Sequence, residues 1–259
     1  MPERDHPDHR SLQPAFDFAI TVLLWIYYTV GFVFFFSPFY LWAFFFAGQR
    51  ETSFQRLNSR FYRGFFAFTR VLMPGHRWVI PPEVRDIRSA VIVCNHRSYL
   101  DSILLISLYD RHNTIVKSRL FDIPLFGRML QWSGYIPSSS QGRFSEMMIQ
   151  RIEKMPAFLA DGGNLIIFPE GTRSQDGRIG RLNKGAFKIA RSCRAPIKVL
   201  FVRNTEKMFR PGSFSFDTRG PNTISLTLIG TIDSATDRET GFLSQVMDRV
   251  RAMLESQNK

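Results

Sequence analysis

From Phe18 to Ala47 the chain carries no charged residue over 30 positions, with aromatic triplets at Phe34–Phe36 and Phe44–Phe46. As one helix this run would extend about 45 Å, against a bilayer hydrocarbon core of about 30 Å. It must then tilt, kink or fold back, and Gly31 and Pro38 offer places to bend. The run is too long for a signal peptide, and no small-residue cleavage site follows it. It reads as a hydrophobic helical membrane anchor rather than a buried core helix. Residues 53–72 continue with helical spacing: Leu57, Phe61, Phe65, Phe68 and Leu72 form one stripe, and Arg56, Arg60 and Arg63 lie beside it. Such a helix either lies among lipid headgroups or packs on the portion that follows.

From residue 77 the pattern changes to short apolar runs alternating with helical periodicity. The strands expected are 78–80, 90–94, 114–117, 135–136, 165–168, 197–203 and 223–229. The helices expected are 99–109, 125–132, 143–160, 183–193 and 238–256. This alternation predicts an α/β fold, a mixed and largely parallel sheet flanked by helices. The chain divides into a polar, disordered tail (1–14), the anchor with its amphipathic helix (15–74), and an α/β domain (75–259).

Charge narrows the partners. The formal net charge is +12 and the pI is near 10.2, which calls for an anionic partner: nucleic acid, a phosphorylated substrate or lipid headgroups. The 26 Phe concentrate early instead of interleaving with the basic residues, which argues against nucleic acid. Arg4 and Arg10 precede the apolar run, whereas Arg50, Arg56, Arg60, Arg63 and Arg70 follow it. The positive-inside rule then places the long C-terminal portion on the cytoplasmic side of a cell inner membrane or another cytosol-facing membrane. Cys94 and Cys193 stand in apolar settings without metal-ligand spacing, as small core residues of a reduced domain.

Two stretches carry candidate chemistry. The run Val91–Cys94 ends in Asn95-His96-Arg97-Ser98-Tyr99-Leu100-Asp101, a strand delivering a His to a loop with a carboxylate in the first turn of the next helix. Ser98 and Asp101 have capping-box spacing, so Asp101 either caps alone or also orients His96 as a general base. Phe168-Pro-Glu-Gly-Thr-Arg173 follows another strand, at the kind of strand end where open α/β sheets bind ligands; Arg173 can grip a phosphate with a forked pair of hydrogen bonds. A basic run continues through Arg178, Arg181, Lys184, Lys188, Arg191 and Arg194. There is no Gly-x-Ser-x-Gly elbow, P-loop, dinucleotide fingerprint or His-Glu-x-x-His, so His96 fits a base acting on a substrate hydroxyl.

Asn95-His96-x4-Asp101 and Phe168-Pro-Glu-Gly-Thr-Arg173, in this order behind a hydrophobic segment, resemble the lysophosphatidic acid acyltransferase family of glycerolipid acyltransferases. The resemblance extends through Lys117-Ser-Arg-Leu-Phe-Asp-Ile-Pro124, Asp176-Gly177 and Asn183–Phe187, and covers most of residues 75–230. It implies the glycerolipid acyltransferase fold, and transfer of a fatty acyl group from acyl-CoA or acyl carrier protein to the sn-2 hydroxyl of lysophosphatidic acid, giving phosphatidic acid. His96 would be the base and Asp101 its orienter, with no acyl-enzyme, metal or cofactor. Asn95, Arg97, Lys117, Glu170, Gly171, Thr172 and Arg173 would bind substrate. Two departures bear on the acceptor: Arg143 stands nine positions after Gly134, where the family has an Arg closer to that Gly, and the block Pro196-Ile-Lys-Val-Leu keeps one proline of two. Arg143 is the corresponding acceptor-binding candidate, and another lysophospholipid or a lyso-aminolipid is the alternative acceptor.

Overall fold

The computed structural model describes residues 9–139, 142–174, 176–233 and 242–258. The apolar N-terminal run forms one long helix, not a folded-back pair. Helix α1 (His9–Ile26) passes into a π-helical stretch, Tyr27–Phe36, and then into α2 (Ser37–Phe46). Proline explains the wide stretch. Pro38 has no N–H, and its ring crowds the carbonyl one turn back; here the Ser37 N–H already donates to Phe32 O, five residues back, so the helix continues past it. Gly31 and Pro38, the expected bends, both lie inside this helix, and the chain reverses only after it, at residues 47–49. Residues 9–14, expected in the polar tail, form its first turns; residues 1–8 lie outside the described residues.

After the reversal come α3 (Arg50–Leu72), β1 (His76–Val79), α4 (Pro82–Arg85), β2 (Ala90–Cys94), α5 (Tyr99–Leu108), β3 (His112–Val116), α6 (Phe126–Trp132) and β4 (Ile136–Pro137). Then follow α7 (Ser145–Glu153), α8 (Met155–Ala160), β5 (Asn164–Ile167), α9 (Lys184–Cys193), β6 (Ile197–Arg203), α10 (Thr205–Met208), β7 (Asn222–Ile232) and α11 (Phe242–Ser256). The helix expected over 143–160 is broken at Lys154, because Pro156 is tolerated only in the first turn of a new helix. The start expected at 238 for the last helix falls outside the described residues.

Among the described residues seven strands form one sheet in the order β1-β7-β6-β2-β5-β3-β4, parallel except for the antiparallel pair β6–β7. Central β2 is apolar throughout, as a parallel strand covered on both faces must be. Val91 and Val93 face the core under α8, α9 and α11, while Ile92 and Cys94 face the core under α3 and α5.

Of its two expected placements, α3 takes the one on the α/β portion. Phe54, Phe61, Phe65 and Phe66 are buried, and Arg63 reaches Asp110 and, at 3.1 Å, Ser107 O of α5. Its other neighbour is the N-terminal helix: Tyr27 Oη donates to Phe61 O at 2.9 Å. Gly64 permits this approach, since a Cβ there would sit 2.3 Å from the Tyr27 hydroxyl. The opposite face of the long helix is bare: Phe34, Phe35, Phe39, Trp42, Phe45 and Phe46 are each 60–72 % exposed.

Candidate active site

Strand register assembles the site. β2 and β5 are neighbours with Val93 beside Ile167, so the residues three positions past each, His96 and Glu170, leave the sheet together. β3 exits on the far side of β5 into Lys117, and β6 exits beside β2 toward Thr205. The carboxyl edge of one sheet therefore gathers four segments far apart in sequence.

His96 sits in a loop closed by the capping box of α5. The Ser98 hydroxyl accepts from Leu100 N–H at 3.2 Å, and Asp101 Oδ2 accepts from Ser98 N–H at 2.7 Å. The same oxygen accepts from Arg97 N–H at 2.6 Å and lies 3.0 Å from His96 Nδ1. Cap and orienter are one carboxylate, so the two roles considered for Asp101 coexist. Its Oδ1 accepts from the Thr205 hydroxyl at 2.6 Å. Asp101 is 1 % exposed and surrounded by four donors, and with Nδ1 donating, the imidazole keeps Nε2 as its acceptor. Phe168 stacks on the imidazole at 4.3 Å between ring centroids, holding its plane.

The second motif divides its labour. Glu170 turns toward its own loop: Oε1 accepts from His96 N–H at 3.2 Å and Oε2 from Gly180 N–H at 2.8 Å. Burial pushes its carboxyl above the usual carboxylate range, with those two N–H groups acting against the shift. It fastens the two motif loops together. Gly171 makes the turn at φ +67°, returning its N–H to Phe168 O at 3.0 Å in a conformation unfavourable for other residues. Arg173 lies over the Tyr99 ring, with Cζ 3.4 Å from its centroid, and Thr172 is exposed.

The remaining candidates scatter. Asn95 is buried and bonds both backbone groups of Val202, donating to its O at 2.9 Å and accepting from its N–H at 2.7 Å, as a surrogate rung between β2 and β6. Arg97 turns away to Gly177 O at 3.1 Å and Asn258 Oδ1 at 2.6 Å. Arg143 pairs with Asp122, away from the cavity walls. Lys117 lines the cavity described next. Thr205 was missed by sequence reasoning: it stands 104 residues from Asp101 with no local signal.

His96 opens onto a cavity of about 1040 Å³. Its outer part carries Lys117, Arg119, Arg173 and Lys184 beside Gly171. Its inner part runs under α3 between α5 and α6, walled by Ile103, Ile106, Leu120, Phe126 and Leu130. A cationic mouth, an oriented imidazole and an apolar slot thus share one space, an arrangement that can hold an anionic headgroup, draw a proton from a hydroxyl and shelter an alkyl chain.

The acyltransferase family model matches residues 78–202. A chloroplastic 1-acyl-sn-glycerol-3-phosphate acyltransferase of Brassica napus is 34 % identical over 123 residues, covering 48 % of this chain and 35 % of that protein. A probable enzyme of the same name from Mycoplasma pneumoniae is 28 % identical over 130 residues, covering 48 % of each. The matched part thus spans only about a third to a half of these relatives' length. The crystal structure of the 1-acyl-sn-glycerophosphate acyltransferase PlsC of Thermotoga maritima superimposes with a TM-score of 0.69 at 20 % identity, over 95 % of this chain and 97 % of that one. The mixed, largely parallel sheet flanked by helices is the fold of that structure.

Proposed function

We propose that the protein moves a fatty acyl group from a coenzyme A or acyl carrier protein thioester to the sn-2 hydroxyl of lysophosphatidic acid at a membrane surface, a reading supported by the match of residues 78–202 to the acyltransferase family model. The observation that carries this reading is the His96 ring, tied to Asp101 through Nδ1 and opening on a cavity that is cationic outside and apolar inside. His96 Nε2 takes the proton of the acceptor hydroxyl while Asp101 stabilises the resulting imidazolium. The oxygen attacks the thioester carbonyl, forming the ester C–O bond through a tetrahedral intermediate. The C–S bond then breaks, and the thiolate recovers the proton from the imidazolium, so no acyl-enzyme is needed. The acceptor phosphate is assigned to Arg173 and Lys117 at the cavity mouth and the acyl chain to the inner slot.

Membrane attachment is assigned to the bare aromatic face of the N-terminal helix, because exposed apolar surface of this extent is costly in water. The arginines of α3 favour an anionic, cytosol-facing leaflet.

The test is acyl transfer by the purified protein in detergent, followed as thiol release, across lysolipids of different headgroup. Lysophosphatidic acid should be the preferred acceptor, and His96→Ala should abolish transfer. A clear preference for a headgroup other than the bare phosphate would replace this acceptor by another lysophospholipid or lyso-aminolipid. One observation favours that second reading: Arg143 is held by Asp122 instead of facing the cavity.

A further inference from the structure

The inner end of the cavity is not uniformly apolar, and its polar groups fall into two sets. The first is satisfied. Asn58 accepts from the Tyr40 hydroxyl at 2.6 Å and donates to Ser133 Oγ and Tyr135 Oη, both at 2.9 Å. Tyr135 Oη is also 2.7 Å from His112 Nε2, and His112 Nδ1 is 2.7 Å from Tyr109 O. Ser133 Oγ donates onward to Met129 O at 2.7 Å. This set forms a rigid floor with each group engaged.

The second set is Tyr28 and Tyr62, which line the cavity from the N-terminal helix and from α3. Among the described residues, the hydrogen bond of each hydroxyl is with the other, at 3.4 Å. Two phenols bring two O–H protons, and one contact uses one of them. Among the described residues the other proton has no hydrogen-bonded acceptor. The surrounding rings of Phe61 and Phe65 offer none in their plane, and burial holds the Tyr62 phenol well above its ordinary range, keeping it protonated and a donor. Both tyrosines are half-buried and face the slot, so once a chain fills it and excludes water the spare donor lacks an acceptor unless the ligand brings one.

Its position can be placed along the slot. Ser59 and Arg63, which flank Tyr62 on α3, both reach Ser107 O, at 3.4 and 3.1 Å. Tyr62 is therefore level with Ser107, six residues beyond Asp101 on α5 and about 9 Å along the helix axis. With C–C bonds of about 1.5 Å, an oxygen meeting Tyr62 lies at least roughly six bonds from a carbonyl held at His96, in the middle of a chain rather than near its head.

We infer that the Tyr28–Tyr62 pair is a specificity site for an acyl chain carrying an oxygen substituent at mid-chain, a hydroxyl, keto or epoxide group, which accepts the unused phenolic proton. The inference rests on the proposed acyl transfer and on the slot holding the acyl chain. A plain methylene chain leaves that donor facing hydrocarbon; an oxygenated chain satisfies it.

The experiment compares acyl-CoA donors of equal length, saturated or bearing a mid-chain hydroxyl or keto group, in transfer to lysophosphatidic acid by the full chain in detergent. Wild-type protein should favour the oxygenated donors by about tenfold in kcat/KM. The keto donor separates acceptance of the phenolic proton from donation by a substrate hydroxyl: both donors should be favoured. Tyr28→Phe and Tyr62→Phe, made together, retain the rings, remove both phenolic protons and should cut the preference ratio at least fivefold. Equal rates for plain and oxygenated donors in the wild type, or a preference that survives both substitutions, overturns the inference while leaving acyl transfer intact. Absence of transfer with every donor and acceptor overturns the proposed reaction itself.

Discussion

Asp101→Asn separates the two roles that one carboxylate combines. Asparagine keeps the shape, and its amide oxygen can occupy the Oδ2 position, where it still accepts from His96 Nδ1, Arg97 N–H and Ser98 N–H. Its NH2 then faces the Thr205 hydroxyl, which can rotate to accept. What disappears is the charge. As a cap, the loss is the difference between charged and neutral acceptors for two backbone N–H bonds, about 2 kcal/mol of stability. As the partner of an imidazolium at 3.0 Å, a unit charge at an effective dielectric of about 20 contributes about 5 kcal/mol. The retained neutral hydrogen bond offsets part of that, leaving a fall of about a thousandfold in kcat, in line with about 1.4 kcal/mol per decade. The acceptor KM should move little, because Asp101 is buried behind His96. The assay is thiol release against lysolipid concentration, paired with chemical denaturation in the same detergent. A variant that loses about 2 kcal/mol but turns over within threefold of wild type would refute the His–Asp base and leave Asp101 a helix cap alone.

Arg173→Gln should raise the KM for a phosphorylated acceptor by roughly ten- to hundredfold with a smaller effect on kcat; Arg173→Lys should restore little of it, because an ammonium lacks the planar fork and the stacking on Tyr99. An unchanged KM would remove Arg173 from headgroup binding. Asn95→Leu should cost about 2–5 kcal/mol by stripping both buried backbone groups of Val202 of their partner, which a denaturation curve reads; full stability with a raised acceptor KM would instead put Asn95 on the substrate. His112 is fully buried, and burial depresses its pKa from 6.5 to about 4, so the stability tied to its neutral form is present above pH 6.5 and is lost as pH falls toward 4. About 3 kcal/mol should disappear over that window, with a shallower decline in His112→Gln, and equal slopes in the two proteins would remove His112 from the acid response. Replacing Phe34, Phe35 and Phe39 together by Ser should lower sedimentation with anionic vesicles at least a hundredfold, by withdrawing about 2 kcal/mol of burial per ring; undiminished sedimentation would locate membrane attachment elsewhere.

The seven strands among the described residues were legible from apolar runs; central β2 and β5 are buried throughout, as a parallel sheet covered on both faces demands, whereas β7 alternates apolar and polar positions. The N-terminus of α5 was legible too, since a capping box is a local device whose parts stand three residues apart. The path of the N-terminal helix was not. Proline signals a bend in sequence, whereas in the fold a π-helical register carries the chain past Pro38, and packing on α3 holds it there.

In the site, residue types determined what chemistry was available: a His behind a strand, a carboxylate five positions on, and an Arg behind a neighbouring strand. Their orientation belonged to the tertiary structure. Asn95 and Glu170 stand within motifs that read as substrate-binding, yet their side chains are taken up by backbone groups of β6 and of the Gly180 loop. Thr205 carries no local signal but completes Asp101, and Tyr28 and Tyr62, on different helices, meet only when α3 packs. The physical reason is one of range. Caps, turns and strand periodicity are set by neighbours within a few residues, whereas a side chain's partner is set by strand order and helix packing, which join residues a hundred positions apart.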